Sequence, residues 1–253
     1  MLRNDLIVHR PEGLYCPPGD FYIDPWRPVE RAVITHAHSD HARMGSAHYL
    51  AHADSAGTLR NRLGADITLQ TLAYGEAITH QGVTVSLHPA GHVLGSAQVR
   101  IEHAGQVWVA SGDYKLEDDG TCPPFEPVRC HTFITESTFG LPIYRWPSQP
   151  ALFADINAWW AANAAAGKAS VLYAYAFGKA QRLLAALPPL GPILTHGAVE
   201  EINQILRGQG YALPDTIRVT GGIGAKTHPG ALVIAPPSAL ASPWARRFEP
   251  AEE

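Results

Sequence analysis

Within the seven residues Thr35-His36-Ala37-His38-Ser39-Asp40-His41 stand four side chains of the kinds that bind transition metals, three imidazoles and a carboxylate. With 13 His and 11 Asp in 253 residues, a His-x-His-x-Asp-His pattern arises by chance in roughly one chain in 700, so chance explains it poorly. In an extended segment, residues two apart project to the same side, and His36 and His38 can therefore offer their rings to one ion. Asp40 and His41 follow where the chain is expected to turn into a short helix through Ala42-Arg43-Met44, which aims them at a neighbouring point and suits them to a second ion. Imidazole with a little carboxylate fits zinc, manganese or iron, and two such ions about 3.5–4 Å apart can activate water and clamp a phosphate. A His-rich surface turn is the plainer alternative, but a mixed His/Asp set at this spacing seldom lacks a ligand role.

This stretch resembles the signature of the metallo-β-lactamase superfamily, and other parts of the chain extend the likeness. Asp24 ends the apolar run Phe21-Tyr22-Ile23, where the superfamily carries a carboxylate that orients a ligand histidine by fixing its tautomer. Gly91-His92 and Gly112-Asp113 look like its third histidine and its bridging aspartate. The resemblance implies two divalent metal ions, zinc or manganese, with His36, His38 and His92 on the first, Asp40 and His41 on the second, and Asp113 on both. Glu136-Ser137-Thr138-Phe139-Gly140 is similar to the first motif of the β-CASP branch, which acts on nucleic acids, and Glu136 would be its acidic residue. Asp24, Asp40 and Glu136 are thus the expected catalytic carboxylates. Ala176–Gln181 and Leu194–Glu200 resemble segments of a bacterial β-CASP group of exonucleases and endonucleases encoded beside ATP-dependent DNA ligases and helicases. Ser137, Lys115 and Lys179 are the candidate substrate-binding residues, Lys179 because a cation and free amides would coincide near a helix start. A solvated surface lysine is the alternative for Lys179, and His196 reads as structural.

Strand-like runs must position these groups. Residues 5–34 read as short strands punctuated by Pro11, Gly13, Pro17-Pro18-Gly19 and Pro25. His48–His52 reads as another strand, and Ser55–Leu63 as a helix closed by Gly64. Val83–Leu87 alternates, and Gln98–Glu102 and Gln106–Val109 flank Ala104-Gly105 as a hairpin. His92 and Asp113 then stand just beyond strands, where loops carry ligands on a rigid sheet. The proline-broken segment Leu141–Pro147 reads as a linker. After it, Ser148 caps a helix to Ala166, and helices alternate with strands to about Ala235, the pattern of a small parallel α/β domain.

The fold implied is α/β, a metallo-β-lactamase αββα sandwich over residues 1–140 with a β-CASP insert over 141–235, and 236–253 beginning the return to the sandwich. β-CASP enzymes supply two further histidines after the insert, a general acid that Glu136 would position and a last ligand of the second metal. Here only His196 and His228 follow Glu136, neither in that context. The C-terminal part of the sandwich is therefore expected to lie outside the chain, with one ion held firmly, the second weakly, and cutting slow or absent.

Composition bounds the rest. A hydrophobic content of 46% supports a large core, and no run approaches the roughly 20 apolar residues of a membrane span. The start, Met1–Asp5, lacks the apolar core of a secretory signal, which gives a cytoplasmic expectation. Cys16, Cys122 and Cys130 are odd in number and widely spaced, which suggests neither a disulfide framework nor a zinc ribbon. A net charge of −4 gives no overall pull toward nucleic acid, so phosphate binding must be local. The resulting expectation is a metal-dependent nuclease hydrolysing DNA, single-stranded by preference, in repair, with a DNA ligase and a helicase as partners. The alternatives are an RNA-processing β-CASP nuclease and a non-catalytic or inactive short form.

Overall fold

Short apolar alternations broken by Pro and Gly make short strands, and the computed structural model, which describes residues 5–249 and the strand at 251–252, contains three sheets of them. Two belong to one unit, Met1–Thr138, and the third to another, Phe139–Glu253.

In the first unit, β1 (Val8–Arg10), β2 (Gly13–Cys16), β3 (Phe21–Ile23), β4 (Arg31–Val33), β5 (His48–His52) and β6 (Leu69–Leu72) lie side by side in that order. β1 to β3 are antiparallel and β3 to β6 parallel, with α1 (Ala56–Leu63) on the crossover from β5 to β6. The second sheet holds β7 (Ala77–His80), β8 (Val83–Pro89), β9 (Ala97–His103), β10 (Gln106–Ala110) and β11 (Thr132–Ile134), antiparallel except for β11, which runs parallel to β10. The β9–β10 turn takes positive φ at both Ala104 (49°) and Gly105 (76°), the twist a two-residue hairpin needs.

Alternation puts one face of each sheet into a shared core. Ile23, Val33 and Leu72 from the first sheet join Val83, Val85, Leu87, Val99 and Ile101 from the second, each at most 3% exposed. Burial of each such side chain contributes roughly 1.5–3 kcal/mol. Strand direction then places the chemistry. β3 and β4 run the same way, so Asp24 and the 35–41 segment leave one edge of the first sheet. β8, β10 and β11 also share a direction, so His92, Asp113 and Glu136 leave one edge of the second.

The short helix expected through Ala42-Arg43-Met44 does not form. A single turn closes from Ala42 N to His38 O at 2.8 Å, after which Ala47 N and His48 N bond to Val29 O and Glu30 O at 3.0 Å. Those bonds draw the chain into β5 before successive helical bonds can offset the cost of nucleation.

The second unit contains α2 (Gln149–Ala165), β12 (Ala169–Tyr173), α3 (Lys179–Ala186), β13 (Ile193–Thr195), α4 (Gly197–Gly208), β14 (Ile217–Arg218), β15 (Leu232–Ala235) and β16 (Ala251–Glu252). Its sheet is parallel throughout, in the order β14-β13-β15-β12-β16. Central β15 is buried along its length, as a strand covered on both faces must be. Leu232 and Ile234 pack with Trp160 and Leu184 on one side, and Val233 with Val171, Leu194 and Phe248 on the other. The 236–253 stretch, expected to begin a return to the first domain, folds with this unit where it is described: Phe248 is fully buried and β16 pairs with β12. Among the described residues, no helix is long and apolar enough to cross a membrane.

Candidate metal centre

Two carboxylates and four imidazoles meet where the strand ends of the first unit face one another. Asp24 supports them from below. Its φ of +43° is a left-handed conformation that Asp tolerates better than most residues, and it turns the carboxylate back toward the next strand. There Oδ1 accepts from Thr35 N at 2.7 Å, while Oδ2 receives the Thr35 hydroxyl at 2.5 Å and His41 Nδ1 at 2.7 Å.

These partners fix tautomers. A carboxylate only accepts, so His41 Nδ1 keeps a proton toward Asp24, and Nε2 is the nitrogen that can bind a metal once its own proton is displaced. The Thr35 hydroxyl spends its one hydrogen on Asp24, so toward His36 Nδ1, 3.1 Å away, it can only accept. His36 therefore presents a bare Nε2. One carboxylate, directly and through one hydroxyl, orients two of the rings.

The ring nitrogens converge. His36 Nε2 lies 2.9 Å and His92 Nε2 3.2 Å from His38 Nδ1, and Asp113 Oδ2 is 3.9 Å from His36 Nε2 and 3.7 Å from His92 Nε2. The four ligand atoms lie within 4.8 Å of one another. Nitrogens about 2.0–2.1 Å from a tetrahedral ion sit roughly 3.4 Å apart, so this set fits one divalent metal. The other oxygen of Asp113, Oδ1, is 3.3 Å from His41 Nε2, which in turn is 3.7 Å from Asp40 Oδ2. Asp113 thus divides its two oxygens between the three-histidine set and the Asp40–His41 pair.

Electrostatics separate the two sets. Burial, followed by the neighbouring His41, His38 and His92, pushes the fully buried His36 well below its ordinary value. Burial and then His38 carry His92 down to about 4. Both rings are neutral at physiological pH and ready to coordinate. Burial also opposes charge on His41, but hydrogen bonds to Asp113 and Asp24 outweigh it and lift the ring to about 10. The same hydrogen bond to His41 is the main cause that lowers Asp113, against its burial.

Two glycines let the loops close. Gly112 (φ +56°) puts its missing side chain against Thr35, where a Cβ would come within 2.6 Å, and Gly91 (φ +71°) would drive a Cβ into the carbonyl of Lys115. Each stands immediately before a site residue. Backbone bonds then join the loops, Ala97 N to Thr35 O at 2.8 Å and Lys115 N to Ala90 O at 3.0 Å, while Ser96 Oγ accepts from His92 N at 3.1 Å.

The remaining expected residues are placed as follows. Asp40 is the outermost, its side chain 71% exposed. Glu136 follows β11, its amide 3.4 Å from Ser111 Oγ and its carboxylate accepting from Thr138 N at 2.6 Å. Ser137 is exposed. Lys115 is ion-paired with the buried carboxylate of Asp119. Lys179, in the second unit, lies 4.8 Å from the ring of Tyr175. His196 caps α4, its Nδ1 accepting from Ala198 N at 3.1 Å. Thr35, Ser96 and Arg62, whose Nε donates to Ala37 O at 2.7 Å, were not singled out by residue type. Only the position of Thr35 directly before the first histidine could have marked it. A separate open cleft of about 560 Å³ runs between β4–β6 and β7–β8, past Arg31, His48, Gln70 and His80, and takes in none of the histidine cluster.

No family model matches the chain. It is 33% identical over 93% of its length to a protein of Opitutus terrae, of which it covers 23%. That protein is named a probable DNA ligase. The chain is also 28% identical over 66% of its length to an endoribonuclease YSH1 of Gibberella zeae, covering 20% of it. Over 30% of its length it is 33% identical to the Dictyostelium discoideum cleavage and polyadenylation specificity factor subunit 3, covering 10% of it. The chain thus spans less than a quarter of the length of these curated relatives. In fold it is similar to a crystal structure of a protein of unknown function from Enterococcus faecalis, with a TM-score of 0.55 at 12% identity over 81% of this chain and 58% of that one.

Proposed function

We propose that the chain is a β-CASP metallo-β-lactamase nuclease that hydrolyses phosphodiester bonds in DNA, preferring an unpaired strand. The observation that carries this reading is the split allegiance of Asp113, one oxygen toward His36, His38 and His92 and the other toward His41 and Asp40. His36, His38, His92 and Asp113 would hold one divalent ion, and Asp40, His41 and the shared Asp113 a second. Bound there, zinc or manganese supplies positive charge to a phosphate and acidifies water. The chain does the rest. Asp24 and Thr35 hold His41 and His36 in the tautomers that bind, and the strand ends fix the spacing. Glu136, two residues beyond β11 with its amide 3.4 Å from Ser111 Oγ, would orient a proton donor toward the leaving oxygen. Ser137 and Lys179 would contact the strand, and Lys115, through its pair with Asp119, would hold the loop after Asp113.

Support for DNA comes from the relative named a probable DNA ligase, in which a segment like this chain makes up less than a quarter. That arrangement suits a partnership with strand-joining enzymes, a ligase and a helicase of one cytoplasmic repair system. The relatives named endoribonucleases support a second reading, cleavage of RNA. Incubating the purified chain and manganese or zinc with matched DNA and RNA oligonucleotides tests both. Cleavage of unpaired DNA that chelator abolishes is the expected result. Cleavage of RNA alone would select the second reading, and metal-independent cleavage would contradict both.

A further inference from the structure

The segment that reads as a linker in the sequence carries three large rings in water. Phe139, Tyr144 and Trp146 are 55%, 43% and 69% exposed and belong to neither core cluster of their unit. They are nonetheless ordered against one another. The Phe139 centroid lies 5.1 Å from those of both Tyr144 and Trp146, at 79° and 87°, while Tyr144 and Trp146 are within 8° of parallel with centroids 6.3 Å apart. These separations are those of offset-stacked and edge-to-face aromatic pairs, and the exposure of all three rings leaves apolar ring surface open to a further ring. Exposed apolar patches of this kind mark binding surfaces.

Charge identifies the occupant. Between Glu136 and Asp155 the chain carries Arg145 and no carboxylate, although the protein as a whole has a net charge of −4. Arg145 is exposed, and among the described residues it takes part in no ion pair. Flat rings interleaved with an unpaired cation are the combination that holds unpaired nucleic acid, bases on the rings and phosphates on the guanidinium. The cluster also begins three residues after Glu136 in the sequence. We propose that Phe139, Tyr144 and Trp146, with Arg145, form a stacking platform for the bases of a single-stranded nucleic acid. This rests on the nuclease reading and names how that enzyme would select an unpaired strand, since duplex bases keep their faces covered.

The test is fluorescence anisotropy with a labelled oligothymidylate of about 15 nucleotides and a duplex of equal length, with chelator present so that nothing is cut. Trp146→Ala and Tyr144→Ala should each weaken single-strand binding roughly five- to hundredfold and leave the dependence of log affinity on log salt unchanged, because stacking releases no counterions. Arg145→Ala should instead lower that slope by about one. Trp146→Phe should retain most of the affinity. Trp146→Leu, which keeps apolar bulk without a ring, should fall with the alanine variant, so a packing role and a stacking role give different results. Duplex binding should change little. Wild-type affinity in the Trp146 and Tyr144 variants, or equal losses on duplex and single strand, would overturn the platform while leaving the nuclease reading standing. A wild-type chain that binds neither DNA nor RNA strands would overturn the nuclease reading itself.

Discussion

Each unit contains a compact polar cluster, and the two clusters are built on opposite principles. In the second unit Glu200 is almost wholly buried, yet its oxygens receive Thr216 Oγ1 at 2.5 Å, Thr195 Oγ1 at 2.7 Å and Arg207 Nη1 at 2.9 Å. Arg207 donates further to Pro214 O and Thr216 Oγ1. Nearly every donor meets an acceptor there, Arg207 Nε excepted, and the network ties α4 to the β13–β14 side of the sheet. In the first unit the ring nitrogens of His36, His38 and His92 and one oxygen of Asp113 crowd together within 4.8 Å of one another. Four such atoms at this spacing are the ligand set that a divalent cation would complete. Satisfied clusters hold a fold together, whereas this one is held by the fold.

Removing the shared carboxylate has the largest expected effect. Asp113→Ala should lower nuclease turnover by about a thousandfold or more and cut metal content, with little loss of thermal stability, and it should do more than removing any single histidine because it alone faces both sets. Turnover on a labelled oligonucleotide, elemental analysis and a melting curve read the three effects. The mirror experiment is Glu200→Ala, which removes the buried carboxylate that Thr195, Thr216 and the half-buried Arg207 donate to. It should cost about 3 kcal/mol, a fall in melting temperature on the order of 10 °C, with metal content unchanged. A Glu200 variant that loses metal, or an Asp113 variant that loses mainly stability, would dissolve the distinction.

Asp24→Asn sharpens it. The amide can no longer accept from both Thr35 and His41 as a carboxylate does, so metal affinity should drop roughly 10–100-fold, measurable by competition with a chromogenic chelator. Unchanged affinity would mean that Asp24 serves only its own turn.

How much of this was legible follows from how local each feature is. The 36–41 ligands announce themselves because their spacing is written in consecutive residues, and the alternation of strands and helices in the second unit follows from its periodicity. His92 and Asp113 lie beyond strands whose partners the sequence does not name, and only a family likeness picked them out. The Thr35 relay depends on where one hydroxyl hydrogen goes, which residue type cannot reveal. Lys115 looked free because its partner, Asp119, is four residues on in a loop with no regular period. The 141–147 segment looked like a linker because prolines mask the spacing that brings its rings together.

The smallest effect expected is one of pH. Burial raises the Glu200 carboxyl, but hydrogen bonds from Thr216, Thr195 and Arg207 outweigh it and hold it below its ordinary value of 4.5. A depressed folded value means that the stabilisation is complete above the unfolded value and is lost as pH falls through the folded one. Melting temperature should therefore decline with acid below about pH 4.5, and less steeply in Glu200→Gln. Equal slopes in the two proteins would assign the acid sensitivity to other groups.

A calorimetric titration of chelator-treated protein with zinc or manganese decides whether the four-residue set His36, His38, His92 and Asp113 is a metal site. Tight uptake is expected at neutral pH, where His36 and His92 are uncharged, followed by a weaker phase with proton release as an ion displaces the proton of His41. Both phases should be lost or severely weakened in Asp113→Ala. An absence of uptake, or identical isotherms for the wild-type and Asp113→Ala proteins, would contradict a metal site there.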